Sequence, residues 1–211
     1  MASLDTPRKR AFVQLEGRDF LHPYLKAEFE PVYSLEIVRQ LPDDAPEDAV
    51  RVCIAGENDT LPETDAPVLA VPEVIGTGMT GMPRRLAEDV AAGRFYLIRD
   101  TDYPRIRILH ATDLASAARI AAERGTSGIW SLDDGKNPTL NELADALAYR
   151  MNGKRLFALP RKWARLFGIG RKWMRHNCAP ARFTSFAESA GFRPNSVCEY
   201  LRTHVYDENS L

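Results

Sequence analysis

Residues 67–134, PVLAVPEVIGTGMTGMPRRLAEDVAAGRFYLIRDTDYPRIRILHATDLASAARIAAERGTSGIWSLDD, decide the fold of this 211-residue chain. They read in order as a strand, a glycine-containing turn, a helix, two short strands around a polar turn, a second helix and a last strand. Strands that alternate with helices predict an α/β domain with a mainly parallel sheet.

The sequence on either side adds further strands and helices. We predict strands near 11–15, 31–35, 50–55, 67–71 and 127–132 in one mainly parallel sheet. A hairpin over 95–110, a strand at 155–158, a helix over 138–154 and the tail helices are expected to form a small C-terminal α/β lobe. The expected organisation is a single truncated domain over 1–211, with 1–80 and 111–135 as the sheet core and 81–110 and 136–211 as the lobe.

Composition favours an ordinary globular protein, with 45% hydrophobic and 27% charged residues and a net charge of −1. No apolar run approaches the roughly 20 residues that span a bilayer. The N-terminus has basic residues but no apolar core of a secretory signal, so the cytoplasm is the expected location. Cys53, Cys178 and Cys198 match neither a zinc pattern nor a disulfide framework, and no metal site is expected.

The charge is spread unevenly along the chain. Residues 150–182 contain no Asp or Glu but ten Lys and Arg, a pattern that indicates either an anionic partner or two complementary surfaces of one fold or dimer. Trp163, Phe167 and Trp173 lie among these cations. They fit a nucleic-acid platform or a membrane-surface helix, but more often such a pattern is a core-facing aromatic stripe with cations reaching to solvent. We expect the core-facing stripe, and nucleic acid is not an expected partner.

Four local motifs occur in a characteristic order: VPEVIGTGMTG (71–81), HATDLA (110–115), GIWSLDDGKNPTLNELADALA (128–148) and AESAGFRPNSVCEYL (187–201). Together they resemble the latter half of the NAD-dependent epimerase/dehydratase family, the extended short-chain dehydrogenases/reductases. The resemblance implies a shortened Rossmann-like fold and, in complete members, an NAD(P) cofactor with a nucleotide-sugar substrate.

The front of the chain departs from that family. FVQLEGRDFLHPYL (12–25) stands where the family has its first strand and Gly-x-x-Gly-x-x-Gly, and only Gly17 remains. Those glycines let the backbone approach a pyrophosphate at a helix N-terminus, and Asp19 adds a negative charge there. We therefore expect no cofactor, with NAD(P) only in an alternative reading.

The family's catalytic pair is also missing. AVRVCIAGEND (49–59) is followed almost at once by VLAVPEVIG (68–76), which leaves no room for the strand with the catalytic Ser/Thr or the helix with Tyr-x-x-x-Lys. In that pair the Lys depresses the Tyr pKa so that the phenol can act as acid or base. No catalytic residue is assigned, and whether the protein is an enzyme stays open, with the balance against it.

Any retained small-molecule site is expected at the carboxyl end of the 67–71 strand, where open α/β sheets bind ligands. Arg84 and Arg85 could pair with a diphosphate, although a solvated helix face is the commoner role of such residues. His110 could close the pocket, or simply form the strand-to-helix corner that Thr112 or Asp113 caps. The candidate substrate-binding residues are Pro72, Glu73, Thr77, Gly78, Met79, Arg84, Arg85 and His110.

The favoured function is that of a degenerate family member without the usual catalysis. It would keep a sugar-nucleotide-like cleft or serve assembly with its own copies or a full-length relative. One alternative is an active nucleotide-sugar epimerase or reductase with a non-standard cofactor site. Another is an anion- or nucleic-acid-binding module acting through residues 150–182.

Overall fold

The computed structural model describes residues 8–99, 105–152, 156–166 and 180–203. The described strands are β1 (Arg10–Leu15), β2 (Ser34–Val38), β3 (Val50–Gly56), β4 (Pro67–Val71), β5 (Glu73–Ile75), β6 (Leu97–Ile98), β7 (Ile108–His110), β8 (Gly128–Ser131), β9 (Ala158–Leu159) and β10 (Thr184–Ser185). The described α-helices are α1 (His22–Phe29), α2 (Gly81–Ala91), α3 (Ala111–Arg124), α4 (Leu140–Asn152), α5 (Arg161–Leu166), α6 (Phe186–Ala190) and α7 (Val197–Thr203). A short 3₁₀ turn at Asp19–Leu21 precedes α1.

The chain divides into two compact units. The sheet unit is drawn from Met1–Val71, Ala111–Leu132 and Arg182–Phe192, and the second unit from Pro72–His110, Asp133–Ala181 and Arg193–Leu211. This division differs from the expected core and lobe at three places, 72–80, 133–135 and 182–192. Pro72 has no N–H with which to continue a ladder, so β4 ends there, and β10 joins the sheet because it pairs with β8.

The sheet unit contains six strands in the order β10-β8-β4-β3-β1-β2, and every pairing is parallel. The predicted α/β class with a mainly parallel sheet is therefore confirmed. β4 is buried along its whole length, as a central strand of a parallel sheet should be. The second strand lies at 34–38 rather than at 31–35, because residues 30–33 still form the turn that leaves α1.

Helices α1 and α3 pack against each other, and α3 packs on β3 and β4. Leu25 and Phe29 supply the buried face of α1, and small alanines fill most of the buried face of α3. Arg119 on α3 donates to Glu28 on α1 at 2.7 Å, which fixes the two helices at their rim.

The connection between β3 and β4 is unusually short. Residues 57–66 contain no helix, and β3 pairs directly with β4 from Cys53↔Val68 to Gly56↔Val71. Parallel neighbours are normally joined by a crossover of a dozen or more residues, usually helical. The region in which the family resemblance places a further strand and the catalytic helix is therefore closed by a loop.

The second unit holds two small parallel pairs, β5 with β7 and β6 with β9, beside α2, α4 and α7. The predicted 95–110 hairpin is wrong, because its two strands belong to different pairs. Each finds a distant parallel partner, and such a partner leaves no local signal in the sequence.

Helix α4 begins with the predicted capping box. Glu142 accepts from the Thr139 backbone N–H at 2.7 Å, and the Glu142 N–H donates to Thr139 Oγ1 at 3.3 Å. The predicted strand near 155–158 lies at Ala158–Leu159, and residues 153–155 fall outside the described part of the chain.

Candidate functional site

The segment 72–80, which contains β5 and the turn into α2, carries five of the predicted site residues. Pro72 and Glu73 are half-buried, Thr77 and Gly78 are exposed, and Met79 is buried. The Met79 N–H donates to the Gly76 carbonyl at 3.0 Å, and Gly78 has a φ of 76°, which a side-chain-bearing residue rarely adopts. The structure thus forms a tight turn with exposed backbone at the position that the sequence predicts.

Glu73 lies against the start of α2. A Cβ on Gly81 would come within 3.2 Å of Glu73 Oε2, so the carboxylate is next to the first residue of the helix. A carboxylate near a helix N-terminus is electrostatically favourable. It also lowers the attraction of this turn for a phosphate, while its oxygens can accept hydrogen bonds from sugar hydroxyls.

Arg84 and Arg85 are both exposed on α2. Arg84 Nε donates to Glu88 Oε1 at 2.8 Å, an i,i+4 pair that turns the guanidinium toward the C-terminal end of the helix. A diphosphate at the 76–81 turn would therefore require Arg84 to exchange Glu88 for the ligand.

His110 ends β7 and pairs in register with Ile75 of β5. Only 2% of it is exposed, and its ring lies 3.9 Å from the ring of Tyr200 on α7, measured between centroids. The structure therefore holds His110 in the packing between β7 and α7, opposite Ile75, the last residue of β5 before the turn.

Asp113 is 7% exposed and lies in the first turn of α3. The helix begins at Ala111, so Thr112 and Asp113 lie inside it rather than ahead of it as expected. An acidic residue in the first turn is stabilised by the helix dipole.

A second group of polar residues lies at the carboxyl edge of the sheet unit and was missed in the sequence. Ser131 Oγ donates to Glu57 Oε1 at 3.0 Å, Arg182 Nη1 donates to the Glu57 carbonyl at 2.9 Å, and the Phe183 N–H donates to Ser131 Oγ at 3.3 Å. Glu57 and Ser131 are buried. These contacts join the ends of β3 and β8 to the segment that leads into β10.

A groove of about 570 Å³ lies at the carboxyl ends of β1 and β2. Open α/β sheets bind nucleotides at this place. Gly17 has a φ of 67°, and a Cβ there would meet no atom within 4 Å, so the backbone at the end of β1 is open. The groove is lined by Leu15, Glu16, Gly17, Asp19, His22, Ile37, Val38 and Arg39.

Charge in this groove is mixed. Glu16 and Asp19 are exposed carboxylates, and His22 Nε2 lies 3.9 Å from Asp19 Oδ1. Arg39 is exposed directly after β2, where Rossmann folds place either an acid for a ribose 2′-hydroxyl or an Arg for a 2′-phosphate. Sequence patterns could have found Arg39 from its position 22 residues after Gly17.

Among the described residues we find neither a reactive cysteine nor a cluster of metal ligands. Burial raises the pKa of Cys53 and of Cys198 to about 12, so both thiols stay protonated and unreactive at neutral pH. No group of His, Cys, Asp or Glu in the described ranges could hold a metal ion. Cys178 lies outside the described residues.

The exposed segment 156–166 contradicts one expectation. Trp163 was predicted to face the core, but 56% of it is exposed, and Ala164 is the buried residue of α5. Phe167 and Trp173 lie outside the described residues. No helix in the described ranges is long and apolar enough to cross a membrane.

No protein-family model matches the chain, and no curated protein matches it. Solved structures do match. A UDP-N-acetylglucosamine 4-epimerase from Bacillus cereus superposes with a TM-score of 0.60 at 12% identity, over 92% of this chain and 98% of that one. A human epimerase family protein with NADPH gives 0.60 at 14% identity, over 96% and 100%. A Bordetella bronchiseptica enzyme in complex with NAD+ and UDP gives 0.59 at 12% identity, over 94% and 92%.

These neighbours contradict the expectation of no cofactor, because two of the three structures are complexes with NAD+ or NADPH. That expectation rested only on the loss of two glycines after β1. The expectation did not take into account the other residues of the groove, such as Arg39 directly after β2. The sheet order, the parallel pairing and these superpositions together show that the chain has the Rossmann-like fold of the NAD-dependent epimerases and extended short-chain dehydrogenases/reductases, as the sequence resemblance predicted.

Proposed function

We propose that this protein is a reduced relative of those epimerases that binds an NADP(H)-type dinucleotide at the β1–β2 groove and lacks their Tyr-Lys catalysis. The observation that carries the proposal is the groove itself, with an open glycine at the end of β1 and a cation directly after β2.

The adenosine side of the groove fits such a ligand. Ile37 and Val38 supply an apolar wall, and Arg39 follows them with an exposed guanidinium. An Arg matches a phosphate through several N–H groups, whereas an NAD-selective site would use an acid at this position. The residues therefore favour NADP(H) over NAD(H).

The pyrophosphate side fits less well. Gly17 leaves backbone exposed, but Glu16 and Asp19 place two carboxylates along the same groove. The two carboxylates repel the pyrophosphate, and because the groove is solvated this repulsion is modest and is screened by salt. We therefore expect the dinucleotide to bind more weakly here than at a full glycine-rich loop.

The usual chemistry is not supported by the residues present. A bound nicotinamide would supply a hydride acceptor or donor, but no Tyr in the sequence is followed by Lys four residues on, and residues 57–66 form a loop. The proton that accompanies hydride transfer in the family therefore has no matching acid or base here. The rest of the proposal is either a nucleotide-sugar ligand at the 76–81 turn or an assembly role.

The test is calorimetric titration of the full chain with NADPH and with NADH, followed by an epimerisation and reduction assay with UDP-sugars. We expect NADPH to bind more tightly, Arg39→Gln to remove roughly tenfold or more of that preference, and no turnover. Lys26→Gln, an exposed cation on α1, is the matched control and should change nothing.

Equal binding of NADPH and NADH that survives Arg39→Gln would show that the groove assignment is wrong. Turnover above background would contradict only the catalytic part. Asp19→Asn gives an independent check, because removal of one groove carboxylate should raise NADPH affinity roughly twofold to fivefold at low salt and less at high salt.

A further inference from the structure

A cluster of exposed apolar side chains lies on the second unit, immediately before β9 and on α5. Phe157 is 68% exposed, Trp163 56% and Leu166 74%, which makes them the most exposed large apolar residues of the described chain. Single exposed apolar residues are normal, but three within ten positions call for an explanation.

Backbone contacts fix this cluster in place. Phe157 accepts from the Leu97 N–H at 3.2 Å through its carbonyl, which anchors it where β9 pairs with β6. The Pro160 carbonyl accepts from the Trp163 and Ala164 N–H groups at 3.0 and 3.2 Å, so α5 starts immediately after β9. The cluster is therefore displayed by ordered backbone rather than by a loop tip.

Helix geometry sets the outward face of α5. Ala164 is its buried residue, and the opposite side of the helix carries Lys162 and Leu166, four positions apart, with Trp163 beside Leu166 at three positions. Arg161, Lys162 and Arg165 are all exposed around these apolar side chains. We name the set Phe157, Arg161, Lys162, Trp163, Arg165 and Leu166 the α5 patch.

The charged residues of α5 are all cations. Its six residues include Arg161, Lys162 and Arg165 and no Asp or Glu. Apolar side chains that project between cations match the headgroup region of an anionic bilayer, where rings and aliphatic groups enter and the cations pair with phosphates.

We propose that the α5 patch is a membrane-surface contact for a bilayer that carries anionic lipids. Nucleic acid fits less well, because single strands are held by stacking on aromatic faces, and the most exposed residue of the patch, Leu166, has no such face. The proposal does not depend on the nucleotide proposed for the β1–β2 groove.

The test is flotation of the full chain, without nucleotide, with phosphatidylcholine vesicles and with vesicles that also contain phosphatidylglycerol. We expect binding only to the second kind and a fall in binding as salt rises. Lys162→Gln/Arg165→Gln should weaken binding more than tenfold, since each cation near an anionic surface contributes roughly fivefold. Trp163→Ala/Leu166→Ala should weaken it roughly tenfold or more, because two inserted apolar side chains are lost.

The matched control is Val32→Ala/Lys26→Gln, which removes an exposed apolar residue and a cation from the sheet unit and should bind as the parent does. Thermal melts should show all variants folded, because the substituted side chains are exposed. In a Trp173→Phe background, brominated lipids should quench tryptophan fluorescence, and the further change Trp163→Phe should remove that quenching.

Equal binding to both kinds of vesicle, or patch variants that bind like the parent, would overturn the proposal. Binding to a homopolymer RNA that Lys162→Gln/Arg165→Gln abolishes, with no binding to vesicles, would assign the patch to nucleic acid instead. Capture of an acidic protein without vesicle binding would likewise contradict the membrane assignment.

Discussion

Asp113 is a buried carboxylate in a position where a helix stabilises negative charge. It is 7% exposed in the first turn of α3, where the unsatisfied N–H groups and the helix dipole favour a negative charge. Asp113→Ala should lower the free energy of unfolding by about 0.3–2 kcal/mol, measured by thermal and urea melts. Asp113→Asn keeps hydrogen-bonding oxygen and should lose less. Unchanged melting with abolished ligand binding would instead make Asp113 a ligand-contacting residue.

At the residue scale the sequence predicts local roles better than distant contacts. The turn glycines near 76–81 and the acid at the start of α3 could be predicted, because each depends on its neighbours in the chain. The contacts of Glu57 with Ser131 and Arg182 could not, since the three residues are far apart in sequence and meet only once the sheet order is known. The exposure of Trp163 was also not predictable, because an aromatic residue among cations fits a core stripe equally well.

The capping box of α4 gives a prediction for one element. The Thr139 backbone N–H lowers the pKa of Glu142 most, ahead of burial, which opposes it, and of the Thr139 hydroxyl. An acid whose pKa is lower in the folded than in the unfolded state stabilises the fold at a pH above its unfolded pKa. That stabilisation is lost as the pH falls through the pKa of the folded state. Glu142→Gln should therefore lower the melting temperature at pH 7 and leave it nearly unchanged at a pH well below the folded pKa of Glu142.

The control for this prediction is Glu47→Gln, an exposed acid in the loop between β2 and β3 that lies outside any helix. An equal loss for Glu142→Gln at both pH values would mean that the side chain acts through shape rather than charge.

The sequence predicts strands and helices correctly where the pattern that defines them lies within the element itself. The five predicted sheet strands are present because an apolar run bounded by Gly, Pro and Asp has few alternatives to a buried strand. The capping residues predict the starts of α3 and α4 to within a few residues. The 95–110 hairpin failed because β6 and β7 pair with β9 and β5, which neither turn chemistry nor periodicity encodes. Strand β10 was missed because two residues carry no periodicity.

At the scale of the whole molecule, the proposed nucleotide-sugar site can be tested directly by ligand binding. A panel of UDP- and dTDP-sugars read by thermal shift should include a stabilising ligand, and Arg84→Ala/Arg85→Ala should reduce that stabilisation. The reason is that two exposed guanidiniums one turn into α2 are the cations nearest in sequence to the 76–81 turn. Loss of the Arg84–Glu88 pair alone should cost only about 0.3–0.5 kcal/mol, so the variant remains folded.

The outcomes of this panel separate the readings of the whole protein. Stabilisation that survives the double variant would place the ligand elsewhere, and no stabilisation by any nucleotide sugar would contradict this site and favour an assembly role. Neither outcome bears on NADPH at the β1–β2 groove, whose residues belong to the sheet unit.

The direct pairing of β3 with β4 limits where further elements could be inserted into this sheet. Partner residues of parallel strands point to the same face, so β3 and β4 meet with their alternation intact. To place a further strand and helix between them, the chain would first have to break the whole ladder from Cys53↔Val68 to Gly56↔Val71. A partial insertion would lose those hydrogen bonds before the new elements could form their own. The sheet therefore accepts additional elements more readily beside its edge strands, β2 and β10, than between β3 and β4.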